Sequence, residues 1–254
     1  MTDRPDRLEW VGHSCVVIDL EGVRLVTDPL LADRFGHLRR MAAPAALPRD
    51  VDAALVSHLH LDHLHGPSLR RIAPRLLVAP RGAARFLADV DPVRVVEVEE
   101  GDEVAVGPLT IHAVHADHDG RRRPGLPAAP ALGYVVRGAQ TVYFAGDTGP
   151  FAAMAGLVAP PLDVALLPVW GWGRRLGPGH LDPLSAAQAL TLLSPRRAVP
   201  VHWGTYAPAW TRRPSAQGFL NDPPRDFARH AARLAPGVEV VVLEPGGSMA
   251  LDPA

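Results

Sequence analysis

Ser57-His58-Leu59-His60-Leu61-Asp62-His63 follows an apolar run over 51–56 and precedes Gly66-Pro67. A short apolar run of this kind reads as a buried strand, and a proline in the first turn suits a helix start. The stretch is therefore a strand-to-helix turn carrying three imidazoles and a carboxylate. Alternate residues of extended chain point the same way, so His58 and His60 can grip one ion while Asp62 and His63, past the bend, face a second. Such crowding is costly without a cation, because ligand imidazoles and carboxylates in a cleft are stabilised chiefly by the metal that compensates them.

The rest of the 254-residue chain bounds what this turn can serve. Hydrophobic residues make up 47% of it, enough for a packed core, and no linker breaks it, so residues 1–254 read as one domain. A formal net charge of -1 gives no electrostatic case for nucleic acid or an anionic membrane surface. All 26 basic residues are arginine, which excludes a Schiff-base lysine. Cys15, the single cysteine, excludes an intrachain disulfide framework or a cysteine-rich metal site and reads as core filler. No apolar run nears the roughly 20 residues of a membrane span, and residues 1–9 lack a leader-like apolar stretch, so the expected location is cytoplasmic.

Outward from the turn, one plan occurs twice. Residues 8–11, 15–20 and 23–27 read as strands, with turn chemistry at Glu21-Gly22, and they deliver Asp28-Pro29. Residues 30–50 show no clear period and read as a long loop over the surface or the site. Past the turn, a helix over 67–73, a strand over 75–79 and a helix over 82–89 are expected, then strands over 93–98, 103–106 and 109–114. The loop 116–130 carries His118 and Arg121-Arg122-Arg123. In the second half, strands over 132–136 and 141–145 again end in a carboxylate, Asp147, beside Gly146. A helix over 151–158, a strand over 164–167 and a glycine-rich loop over 170–180 follow. Asp182-Pro183 then opens a helix to Leu193, a strand over 198–201 ends at His202, and a helix over 225–234 and a strand over 238–243 close the chain. Two such halves predict an α/β (α+β) chain whose two sheets pack face to face with helices outside, a four-layer αββα sandwich.

A two-metal site needs about six to eight donors and a group that bridges ions about 3.5–4 Å apart, which a carboxylate does well. Asp147 suits the bridge, since its flanking glycine lets backbone approach closely. His202 supplies one further imidazole and the loop another, from His118 or His115. Asp28 is placed to orient a ligand histidine. His13 and His65 lie close to these elements and are given no ligand role.

These residues resemble the metallo-β-lactamase-fold hydrolases over nearly the whole chain. That family's early Asp, His-x-His-x-Asp-His, later His, Asp and final His match Asp28, His58 to His63, His118, Asp147 and His202 in order. The resemblance implies one metal on His58, His60 and His118, a second on Asp62, His63 and His202, and Asp147 between them. It also favours His118 over His115. Within the family, Gly179-His180-Leu181-Asp182-Pro183 and Val201-His202-Trp203-Gly204-Thr205 look like the branch containing N-acylphosphatidylethanolamine phospholipase D and the L-ascorbate-6-phosphate lactonase-like proteins. His118-Asp119-Gly120-Arg121 resembles the phospholipase's His-Trp-x-x-Arg segment, with Asp119 where that enzyme has tryptophan. That enzyme's longer N-terminal region and the nuclease branch's added domain are both lacking, so neither stable membrane insertion nor nucleic acid is expected.

Hydrolysis is the expected chemistry. Two divalent ions make hydroxide available near pH 7, polarise a carbonyl or phosphoryl oxygen and neutralise the leaving group. Asp62 or Asp147 moves the proton, while His180, Arg121 and Trp172 face the substrate. The substrate is expected to be a small anionic ester, lactone or phosphodiester, and assembly into a homo-oligomer is left open. Nitrogen and oxygen donors without thiolate suit two zinc ions and admit manganese or iron. The alternative is a non-hydrolytic metal-binding or iron redox protein on the same fold.

Overall fold

In the computed structural model, which describes residues 4–43, 46–90, 94–123, 125–158, 161–171, 176–212 and 217–251, the apolar stretches pair into two seven-stranded sheets. The first runs Gly247–Ala250, Arg7–Gly12, Cys15–Leu20, Val23–Thr27, Ala53–Leu55, Leu76–Pro80, Arg94–Val98. The second runs Glu239–Val240, Arg197–Val201, Val164–Pro168, Thr141–Phe144, Leu132–Arg137, Leu109–His115, Glu103–Val106. In each, antiparallel strands on one side give way to parallel strands on the other. Ala53–Leu55, Val164–Pro168 and Arg197–Val201 are buried throughout, as parallel strands covered on both faces require.

Alternation along Cys15–Leu20 sorts the layers. Val16 and Ile18 enter a core shared with Ile111, Tyr134 and Phe144 of the second sheet. Cys15 and Val17 join Leu69 and Ile72 of α1 (Gly66–Ile72) in a second cluster on the opposite face. The second sheet is covered by α2 (Pro183–Leu193) and α3 (Gln217–Leu234), which pack on Val164–Pro168 and Arg197–Val201 and bury Ala187, Leu190, Phe227 and Ala231. The four layers are those expected. Asp182 caps α2 through a capping box with Ser185, as its sequence position suggests.

Several boundaries differ from expectation. Residues 82–89 hold only a 3-10 turn, Ala84–Phe86, and 151–158 is 3-10 over Ala152–Val158. Both stretches sit between prolines and the second contains Gly156, too short and interrupted a run to repay α-helix nucleation. Of 238–243 only Glu239–Val240 joins a ladder; the closing strand is Gly247–Ala250, whose Gly-Ser-Met-Ala has no apolar alternation to announce it. α3 begins at Gln217 and runs through Pro223 and Pro224, which read as a break in sequence. Residues 30–50 include a hairpin, Arg34–Phe35 and Leu38–Arg40, turned by Gly36 at φ 56° and paired with Tyr206–Pro208.

Parallel strands of both sheets end at one edge, where ligands of such sheets collect. Asp28 follows Val23–Thr27, the His58–His63 turn follows Ala53–Leu55, Asp147 follows Thr141–Phe144 and His202 follows Arg197–Val201. Among the described residues no helix is long and apolar enough to cross a membrane.

Candidate metal centre

The ligand turn is held from outside as well as by its own chain. His63 and Leu64 both donate their amides to His60 O, at 3.1 and 2.9 Å. Arg122 Nη1 donates to Leu59 O and Leu64 O at 3.0 and 2.6 Å, stapling the turn. From the sequence, Arg122 stands out only as one of the run Arg121-Arg122-Arg123. Counting His-Trp-x-x-Arg residue by residue from His118 also lands on Arg122, whereas Arg121 pairs with Asp119 at 2.8 Å. Trp172 lies outside the described residues.

Three imidazole nitrogens converge at the open side of the centre. His58 Nε2 lies 2.8 Å and His118 Nε2 3.3 Å from His60 Nδ1. Their remaining nitrogens are fixed from behind. His58 Nδ1 donates to Ser57 Oγ at 3.0 Å, whose hydroxyl donates to Asp28 at 2.6 Å, and His118 Nδ1 donates to Gly179 O at 2.7 Å. His115 points elsewhere, to Glu100 at 3.1 Å, and is exposed.

A second group is wholly buried. Ligand atoms of His13, Asp62, His63 and His202 all lie within 4.8 Å of one another. His63 Nδ1 donates to Asp28 at 2.6 Å and His202 Nδ1 to Trp170 O at 2.6 Å, which turns both Nε2 atoms inward. Asp28 thus anchors a histidine of each group. Asp147 joins the groups: its oxygens lie 3.5 Å from His63 Nε2 and 3.3 Å from His202 Nε2, and it clusters with His118 and His180. Gly146 makes this approach possible, since a Cβ there would stand 2.5 Å from Ser57 Cβ. His180, partly exposed at the rim, has Nε2 3.9 Å from Asp147. His65 instead caps α1, and His13, expected from the sequence to be no ligand, stands among the buried donors.

Electrostatics divide the groups. Burial holds His58, His60 and His118 below the ordinary histidine value, and pushes His202 down to about 3. Burial also opposes charge on Asp62 and Asp147, but His63 beside Asp62, and His202 with His63 beside Asp147, outweigh it and hold both well below the carboxylate range. His63 goes the other way. Burial disfavours its cation, yet Asp62, Asp147 and Asp28 raise it well above the ordinary value. A bound metal displaces such a proton.

These residues fit a pair of divalent ions. Buried His63 Nε2 and Asp147 Oδ1 make no hydrogen bond, although polar atoms so deep are seldom left without one. His58 Nε2 and His60 Nδ1, 2.8 Å apart, belong to rings that burial keeps neutral, the form in which imidazole binds a cation. The donors are nitrogen and oxygen only.

A family model described as a β-lactamase superfamily domain matches residues 23–203. A UPF0173 metal-dependent hydrolase of Methanopyrus kandleri is 33% identical over 252 residues, covering 95% of this chain and 98% of that protein. An N-acyl-phosphatidylethanolamine-hydrolyzing phospholipase D of Caenorhabditis elegans is 34% identical over 230 residues, covering 78% of this chain and 63% of that protein. Among solved structures, a metallo hydrolase of Ignicoccus hospitalis superposes with a TM-score of 0.70 over 98% of this chain and 99% of that one, at 22% identity, a likeness of fold.

Proposed function

The chain belongs to the β-lactamase superfamily, and from that membership we propose that it is a metal-dependent hydrolase of a small anionic ester, lactone or phosphodiester, holding two zinc ions. The observation that carries this reading is the pair of donor groups joined by Asp147. His58, His60 and His118 would hold one ion, Asp62, His63 and His202 the other, with Asp147 shared. Two bound divalent ions supply Lewis acidity and a hydroxide nucleophile near neutral pH.

The protein's own residues do the rest. Asp28 fixes the His63 ring directly and the His58 ring through Ser57, so both halves are aimed by one carboxylate. Arg122 keeps the turn's carbonyls in place. Asp62 and Asp147 are the carboxylates of the two donor groups and so lie nearest a proton released at the centre. His180 at the rim is the imidazole positioned to meet a substrate anion or leaving group. A diester reading draws support from the phospholipase relative, and an ester or lactone asks the same of these residues.

The test is turnover of a chromogenic phosphodiester, an aryl ester and a lactone by zinc- or manganese-loaded protein, with Asp147→Ala as control. Hydrolysis of one class, lost on the order of 10³-fold in the variant, is expected, since metal-based stabilisation is worth several kcal/mol. No turnover of any class by protein holding two metals would contradict the hydrolytic reading.

A further inference from the structure

The ligand pattern read from the sequence has no place for His13, 49 residues before Asp62, yet the fold puts it among the donors. We propose that His13 is a direct protein ligand of the second metal, so that His13, Asp62, His63 and His202 enclose that ion. This rests on the two-metal reading above.

Distance gives the first reason. His13 Nε2 stands 3.2 Å from Asp62 Oδ2, and His63 Nε2 stands 3.3 Å from the same oxygen. Neighbouring donors on an ion with bonds of about 2.0–2.2 Å lie roughly 2.8–3.6 Å apart between octahedral and tetrahedral angles, so His13 and His63 are equivalent in this respect and Asp147 keeps its place as a further donor. The His13 ring also sits 4.2 Å from the His202 ring, centroid to centroid, and 5.2 Å from that of His63. His13 is 1% exposed, and each of the four donors is buried.

The backbone supplies the second reason. His13 has φ 56° and His202 φ 65°, a left-handed conformation that costs a non-glycine residue about 1–3 kcal/mol and persists where surroundings over-determine it. Here they do. The His13 amide donates to Thr205 Oγ1 at 2.7 Å, and its carbonyl accepts from the Trp10 indole at 2.8 Å and the His202 amide at 2.9 Å. Gly12 lets this turn close, because a Cβ there would fall 2.7 Å from Thr205 Cγ2. The loop that brings His202 to the centre is thus the same loop that locks His13 into it.

The rival role is a hydrogen bond from His13 to Asp62 without ligation. It is separated by a long-range 1H–15N histidine spectrum of the zinc-loaded wild-type chain, with the His13 ring identified through its edge-on neighbour Tyr206, 5.9 Å away. A zinc-ligated His13 nitrogen in protein holding two zinc ions is the expected result. His13→Gln, which keeps a donor toward Asp62, is expected to bind one zinc normally and the other at least about tenfold more weakly. A His13 ring with neither nitrogen ligated, or a His13→Gln chain binding both zincs with wild-type affinity, would overturn the proposal. Wild-type protein that takes up one zinc or none would refute the two-metal reading itself, and this proposal with it.

Discussion

His58, His60 and His118 form a half-centre that opens toward solvent, made of imidazoles that burial keeps neutral. Asp62, His63 and His202 form a buried half in which carboxylates hold a proton on His63. One half is ready for a cation as it stands; the other must exchange a proton for it. The supports differ in kind too. The open half leans on a serine hydroxyl and a loop carbonyl, Gly179 O, while the buried half is braced by Asp28, Trp170 O and the Trp10–Trp203 ring pair at 4.8 Å. Two ions would therefore be held by unlike supports.

Removing one histidine from each half tests the contrast most severely. His202→Ala is expected to weaken one zinc by more than about 100-fold and to lower the melting temperature, since the ring is buried and held by Trp170 O. His118→Ala is expected to cost one zinc of the other half with little change in melting. Titrations with zinc and thermal melts read both, and equal loss of stability would erase the distinction. Asp28→Asn is expected to weaken both halves by about 10–100-fold, whereas Ser57→Ala is expected to weaken chiefly the half containing His58, since His63 keeps its own bond to Asp28. A Ser57→Ala chain that weakens both ions alike would break the assignment of supports.

Acidity sharpens the same comparison more gently. His63 has its affinity for protons raised, so protons compete with metal there, and zinc affinity of the buried half should fall by up to about tenfold per pH unit as pH drops below the raised value. The histidines of the open half are depressed by burial, so protons compete less there and that half should lose less affinity over the same pH range. Isotherms at several pH values, with proton release counted in two buffers, read the difference. Affinity that is flat with pH at both sites would contradict it.

Much of this centre was legible because the motif is local. Three histidines and Asp62 occupy a single turn, and Asp28, Asp147 and His202 each end an apolar run, so strand ends alone pointed to those three. His118 and His115 were equal by spacing, and the fold separates them by sending His115 to Glu100. His13 was illegible for the opposite reason. Nothing near it in sequence carries the metal pattern, and its place depends on a turn closed against Thr205, 192 residues away. Arg122 acts through backbone carbonyls, which leave no mark in side-chain chemistry. A left-handed turn built on a glycine beside a histidine, Gly12-His13, was the available signal.

Zinc bound per chain after desalting, in wild type and in Asp147→Ala, measures whether Asp147 joins two metal sites in one chain. Two zinc ions in the wild type and no more than one in the variant is the expected result. A variant that keeps two zincs as tightly as wild type, or a wild-type chain that holds fewer than two, would contradict it.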